Sequence, residues 1–238
     1  MEKNKLTRIY VWQLPVRIYH WINAAAITVL VATGFIIADP PVILTATEAT
    51  DAYWFGVNRF IHFASAYIFM FNLLYRLLFS LYGNEYASWR EYFVRPFTRK
   101  FWRKFRHVLL IDILLLRRKP YIDIGHNPVA ILSYIGLFIL SFIQIFTGLG
   151  LMAETSSWWF TRMFGFVPDL LGGDIYARFV HHSATWMFIV FFVIHFYLVL
   201  FHEWFEGRGV LSSMTSGLKF MEEWVMDVLR KRKKEGEK

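Results

Sequence analysis

Cysteine is absent from this chain of 238 residues. That excludes disulfides, thiolate-held iron–sulfur clusters, covalent C-x-x-C-H haem attachment and cysteine-based zinc sites. Any metal centre must rest on imidazole, carboxylate or thioether ligands. Charge is scarce as well: 18% of residues are Asp, Glu, Lys or Arg, against about a quarter in a soluble domain. A leader pattern is missing too. Met1 to Arg8 is polar and no A-x-A-like site follows the first apolar run, so no cleavable signal peptide is expected.

What is present is apolar. Hydrophobic residues make up 56% of the chain, with a mean hydropathy of +0.38, and they gather in long runs. A membrane-crossing helix needs roughly 20 mostly apolar residues. About residues 17–38, 60–82, 127–153 and 179–201 meet that need. The first run is uncharged from Trp21 to Ala38, the second carries one arginine, Arg76, and the third carries no charge. In the fourth, histidines are the only ionisable residues. Aromatics make up 20% of the chain, with ten Trp, and many sit where such spans meet headgroups.

Charge gives the orientation. Glu85 to His126 holds ten Lys or Arg against four acids, and the tail after Phe201 holds eight basic residues. Asp39 to Arg59 holds one and Glu154 to Arg178 holds two. Basic loops stay in the cytoplasm, so the termini and the middle loop are expected inside and the two acidic-leaning loops outside. Phe101 to Leu116 mixes basic and apolar residues and reads as a helix lying on the inner surface. Leu218 to Leu229 has a similar mixed pattern. The net charge of +8 is then topogenic and directed at anionic membrane lipid, with no nucleic acid as partner. No internal repeat of a transporter kind is visible. The expected class is an all-α integral protein of the inner (cytoplasmic) membrane. It is a four-helix transmembrane bundle with both termini cytoplasmic, plus amphipathic surface helices. Residues 1–210 would form the bundle domain and 211–238 a basic cytoplasmic tail.

Five histidines lie inside the spans, and four of them, His20, His62, His181 and His195, are the candidates. Ionisable groups at membrane depth are costly and call for a partner or a task. Span direction sorts them by depth, with His20 and His195 toward the inside and His62 and His181 toward the outside. His181 and His195 are 14 residues apart, four turns of roughly 3.5 residues, so they face nearly the same side about 21 Å apart along the axis. Two matched pairs suit two bis-imidazole haems. A lone span histidine is more often a packing or proton-relay residue, and a histidine-lined metal or proton transporter without haem remains the alternative of another class. His182, pointing roughly 100° away from His181, competes with it as ligand. Arg17 and Arg59 each stand three residues before a histidine, placed to meet propionates or simply to mark span ends. Asn127-Pro128 is a natural helix start. With His126, Asn127 is also a candidate quinone contact.

Pro15-Val16-Arg17-Ile18-Tyr19-His20-Trp21, Arg59-Phe60-Ile61-His62-Phe63, Asp123-Ile124-Gly125-His126-Asn127-Pro128, and His181 with His195 resemble the cytochrome b subunit of membrane-bound nickel–iron hydrogenases. The likeness runs from about Tyr10 to Glu203 and includes Thr33-Gly34 and Thr147-Gly148-Leu149. The wider relatives include the cytochrome b subunit of formate dehydrogenase, whose complex is the alternative partner. The resemblance implies two non-covalent b haems, ligated by His20, His62, His181 and His195. It implies electron transfer from the hydrogenase small and large subunits to a quinone, with no hydrogen-splitting site in this chain. His182 departs from the family pattern, where an arginine commonly stands.

Overall fold

The computed structural model describes residues 6–41, 53–110, 126–206 and 209–222. In chain order it contains strand β1 (Leu6–Tyr10), helix α1 (Leu14–Ala38), α2 (Trp54–Phe79), α3 (Trp89–Phe93), a 3-10 turn (Arg95–Phe97) and α4 (Arg99–Val108). Then come α5 (Pro128–Ala153), α6 (Trp159–Arg162), α7 (Phe166–Leu171), α8 (Asp174–Glu206), α9 (Val210–Ser216) and strand β2 (Leu218–Glu222).

Four helices, α1, α2, α5 and α8, are long and apolar enough to cross a membrane. Each covers all or nearly all of one of the four expected runs, so the chain is an all-α multi-pass membrane protein. Helices α1, α2 and α8 begin before their apolar runs, and α8 also outlasts its run, because a helix need not stop where hydrocarbon does. At 1.5 Å per residue α8 is about 50 Å long, against a hydrocarbon core of roughly 30 Å. Pro15 sits in the first turn of α1, where its missing N–H costs no bond. The start of α5 is capped: the Asn127 side-chain oxygen accepts from the Ala130 amide at 2.7 Å, as an N-cap should.

The described residues divide into two compact units. One lies within Met1–Arg17, Phe79–Gly136 and Phe192–Lys238, the other within Ile18–Leu78 and Leu137–Phe191. In the first, Val11, Trp12, Val16 and Ala87 form a buried cluster. Asn84 ties it together, donating its backbone N–H to Gln13 Oε1 at 2.9 Å and its side-chain amide to the Val11 carbonyl at 3.1 Å. Thr98 caps α4 through the Phe101 N–H. That helix buries Phe101 and Val108, two turns apart, and exposes Arg103, Arg106 and His107. The expected surface helix over 101–116 is thus seen to Val108. Its part from 111 onward lies outside the described residues.

The tail departs from its expected likeness to that helix. Residues 218–222 form β2, paired antiparallel with β1 in the register Leu6↔Glu222 to Tyr10↔Leu218. The cause is local. Gly217 ends α9 at φ +82°, and its carbonyl accepts from the Val11 and Trp12 amides. A Cβ there would lie 2.6 Å from the Tyr10 ring, so only glycine turns the chain onto β1. Residues 223–238 lie outside the described residues.

In the second unit all four spanning helices meet. Ala26, Phe69 and Phe188 are buried together, with Leu137, Leu140 and Ile145 packed against them. Two asparagines on α2 reach α1: Asn58 donates to the Thr33 carbonyl at 3.1 Å and Asn72 to the Tyr19 carbonyl at 3.0 Å. Interhelical hydrogen bonds in a membrane contribute on the order of 0.6–2 kcal/mol each. Their larger effect is to set the register of the α1–α2 hairpin.

Candidate functional site

The second unit encloses a cavity of about 580 Å³, within the range of cofactor sites. His62 from α2 and His181 from α8 both line it, and so do Gly34 from α1 and Gly148 from α5. Each histidine is held from the neighbouring hairpin helix. His62 Nδ1 lies 2.9 Å from Thr33 Oγ1, and His181 Nδ1 lies 2.8 Å from Thr147 Oγ1. The residue after each threonine is the glycine against which the ring lies. An added Cβ would stand 3.4 Å from His62 Cε1 at Gly34 and 3.1 Å from His181 Cε1 at Gly148. Farther along α5 and α8, Gln144 donates to Thr185 Oγ1 at 2.8 Å, and Thr185 donates to the His181 carbonyl at 3.0 Å.

Basic side chains accompany the histidines. Arg59 lines the cavity with its guanidinium 5.7 Å from the centre of the Phe63 ring. Arg178 lines it too, and it stands three residues before His181 as Arg59 stands before His62. The sequence reading did not single out Arg178. The signal was there: R-x-x-H occurs at Arg17, Arg59 and Arg178. Glu154, just past the end of α5, also borders the cavity. The Asp174 carboxylate, which accepts a hydrogen bond from the protonated Glu154 and repels its charged form, pushes the Glu154 carboxyl above its ordinary range, and Arg178 pulls the other way.

The other expected site residues lie as follows. His182 borders the same cavity, its ring centre 6.4 Å from that of His181, and it is the more exposed of the two. His20 is half-buried in the second unit with its ring edge-on to Trp21 at 5.1 Å. His195 belongs to the first unit, on an exposed stretch of α8. Arg17 donates to the Thr215 carbonyl. His126 sits among aromatic rings, 4.7 Å from Trp12, 5.5 Å from Tyr134 and 5.7 Å from Tyr92. Beside it, Asn127 commits its side-chain oxygen to the α5 cap.

The donor set fits a b haem. Among the described residues no group of three or more His, Asp or Glu gathers around a point, as a protein-only zinc site would need. Two imidazoles lining one cavity, each with a glycine against its ring, suit a metal whose remaining ligands come from a macrocycle. Fold and cavity thus define a multi-pass membrane protein with a histidine-lined cavity. The sequence profile of prokaryotic cytochrome b561 matches residues 11–217, and the chain belongs to that family. A b-type haem and electron transport follow from this membership. The chain is 36% identical to the probable Ni/Fe-hydrogenase B-type cytochrome subunit of Cupriavidus necator over 213 residues, 88% of this chain and 86% of that protein. It is 33% identical to the protein of the same description in Azotobacter vinelandii, over 92% of this chain and 91% of the relative. The probable Ni/Fe-hydrogenase 1 B-type cytochrome subunit of Escherichia coli K12 is 32% identical, over 88% and 90%.

Proposed function

We propose that this chain is the membrane subunit of a nickel–iron hydrogenase, carrying electrons from the hydrogenase small and large subunits across the inner membrane to quinone. The observation that carries the reading is the His62–His181 cavity, in a chain that matches hydrogenase cytochromes over most of its length. Bound b haem would supply a one-electron couple inside the membrane. The protein's part is to hold, orient and shield it. His62 and His181 are assigned as ligands of the outer haem, and His20 and His195 as ligands of the inner one. Arg59 and Arg178 are placed to take carboxylates at the cavity edge, and Arg17 is assigned to the inner side. The topology that goes with this has both termini and the basic middle loop in the cytoplasm, with a bundle domain over 1–210 and a basic tail over 211–238.

Quinone is assigned to the neighbourhood of His126 and Asn127. Apolar and aromatic walls with few polar groups suit such a ligand, and the Asn127 side-chain NH₂ is the donor left over once its oxygen caps α5. The test is direct. The purified chain should give reduced-minus-oxidised bands of low-spin b haem and about two haems per chain by pyridine assay. His62→Ala or His181→Ala should each remove one haem, and His20→Ala or His195→Ala the other. Protein without a Soret band would overturn the reading, and one haem per chain would overturn the four-ligand assignment.

A further inference from the structure

We infer that Thr33 and Thr147 are positioning residues for the cavity histidines. Each hydroxyl accepts the Nδ1–H of its histidine, sets the tautomer and rotation of the ring, and so presents Nε2 to a metal. The inference rests on the reading of His62 and His181 as ligands.

Hydrogen accounting carries the argument. A threonine hydroxyl owns one hydrogen and two lone pairs. Thr33 Oγ1 lies 2.7 Å from the Val29 carbonyl and Thr147 Oγ1 2.6 Å from the Ile143 carbonyl, each the back-bond to residue i−4 that helical threonines make. Each hydroxyl hydrogen is thereby spent on a carbonyl of its own helix. At 2.9 and 2.8 Å from the rings, the hydroxyls have only lone pairs to offer, so each ring is the donor. A neutral imidazole protonated at Nδ1 keeps its lone pair on Nε2, the form that ligates through Nε2. The hydroxyls have little choice of partner: Thr33 is 7% exposed and Thr147 3%.

The same device is built twice. In α1–α2 and again in α5–α8, a Thr-Gly step on the first helix meets an Arg-x-x-His turn on the second, with the threonine 29 and 34 residues ahead of its histidine. Threonine fixes one edge of the ring and the following glycine leaves room for the other. Two rings held alike would offer a bound metal two imidazole ligands of matched basicity. A hydrogen bond accepted from Nδ1–H raises that basicity and favours the oxidised metal over the reduced one.

The experiment uses the full chain with b haem bound. Thr33→Val and Thr147→Val remove the acceptor at nearly constant volume; Thr→Ser at each position restores it. Potentiometric titration followed at the haem bands should show the midpoint of the haem lost in His62→Ala moving upward in each Val variant. The shift should be larger in the double variant and reversed by Ser, with a changed EPR signal for the oxidised form. Val variants with unaltered midpoint and EPR signal would overturn the inference, as would Ser variants behaving like Val. If the Val variants bind no haem, restoration by Ser supports the role of the hydroxyl, and failure of Ser to restore it counts against. Full haem content in His62→Ala and His181→Ala would instead defeat the ligand reading itself.

Discussion

Asn58 holds Thr33: its side-chain amide donates to the Thr33 carbonyl at 3.1 Å, on the residue whose hydroxyl meets His62. Backbone and side chain of one threonine are thus both engaged by α2. Asn72 repeats the clamp at Tyr19, next to His20.

Asn58→Leu should therefore loosen the His62 ring as well as the hairpin. The loss in stability should be about 1 kcal/mol, the scale of one interhelical bond in a membrane. Haem should dissociate at a lower temperature than in the wild type. Thermal melting in detergent, followed together at the Soret band and by helical circular dichroism, checks both; unchanged melts would remove the clamp from the account.

The two glycines should differ in tolerance. A methyl at Gly148 meets His181 Cε1 at 3.1 Å, tighter than ordinary contact, while one at Gly34 meets His62 Cε1 at 3.4 Å. Gly148→Ala should lower haem content clearly and Gly34→Ala little, measured by pyridine haemochrome per chain. Equal effects would mean that ring clearance does not limit binding.

Glu154 predicts a pH dependence. Its carboxyl titrates above the ordinary range because it shares a hydrogen bond with Asp174, beside Arg178 and Asp169. Protonation removes a negative charge from the cavity edge and favours the reduced, less positive metal. The midpoint of the outer haem should therefore rise as pH falls through this range, and Glu154→Gln should flatten the slope. By linkage, the raised value favours the folded state at acid pH, and that contribution is lost as pH rises through the folded value. Potentiometric titrations at several pH values test the first effect.

Asn127→Asp separates the two roles of that residue. An aspartate still accepts from the Ala130 amide, so the helix cap survives; the NH₂ donor does not. Haem reduction by hydrogen should persist while quinone reduction falls at least tenfold, read in membranes containing the hydrogenase partner. Undiminished quinone turnover would move the quinone site elsewhere.

The spans were legible because their signal is composition over twenty residues, and the histidines because an ionisable side chain in such a run stands out. Cap geometry at Asn127 was equally legible, being local. The Thr–His contacts were not. They join residues about thirty apart, and they depend on how each helix is rotated, which interhelical packing sets. Arg178 is inconspicuous for another reason: it sits among the polar residues of a span end, marked there by its repetition of the Arg59 spacing. The strand at 218–222 was least legible, because its partner lies more than two hundred residues away and five alternating residues carry little signal alone.

That pairing has a consequence for biosynthesis. The ribosome delivers β1 before the four spanning helices and β2 after them, so the earlier strand waits for the later one to find its partner. Closing a loop of more than two hundred residues carries a high entropy cost, which is lowered once the inserted helices have brought the two strands close. The small sheet then acts as a seal on assembly. A nascent chain shows an unpaired strand edge, which invites wrong partners, until membrane insertion is complete.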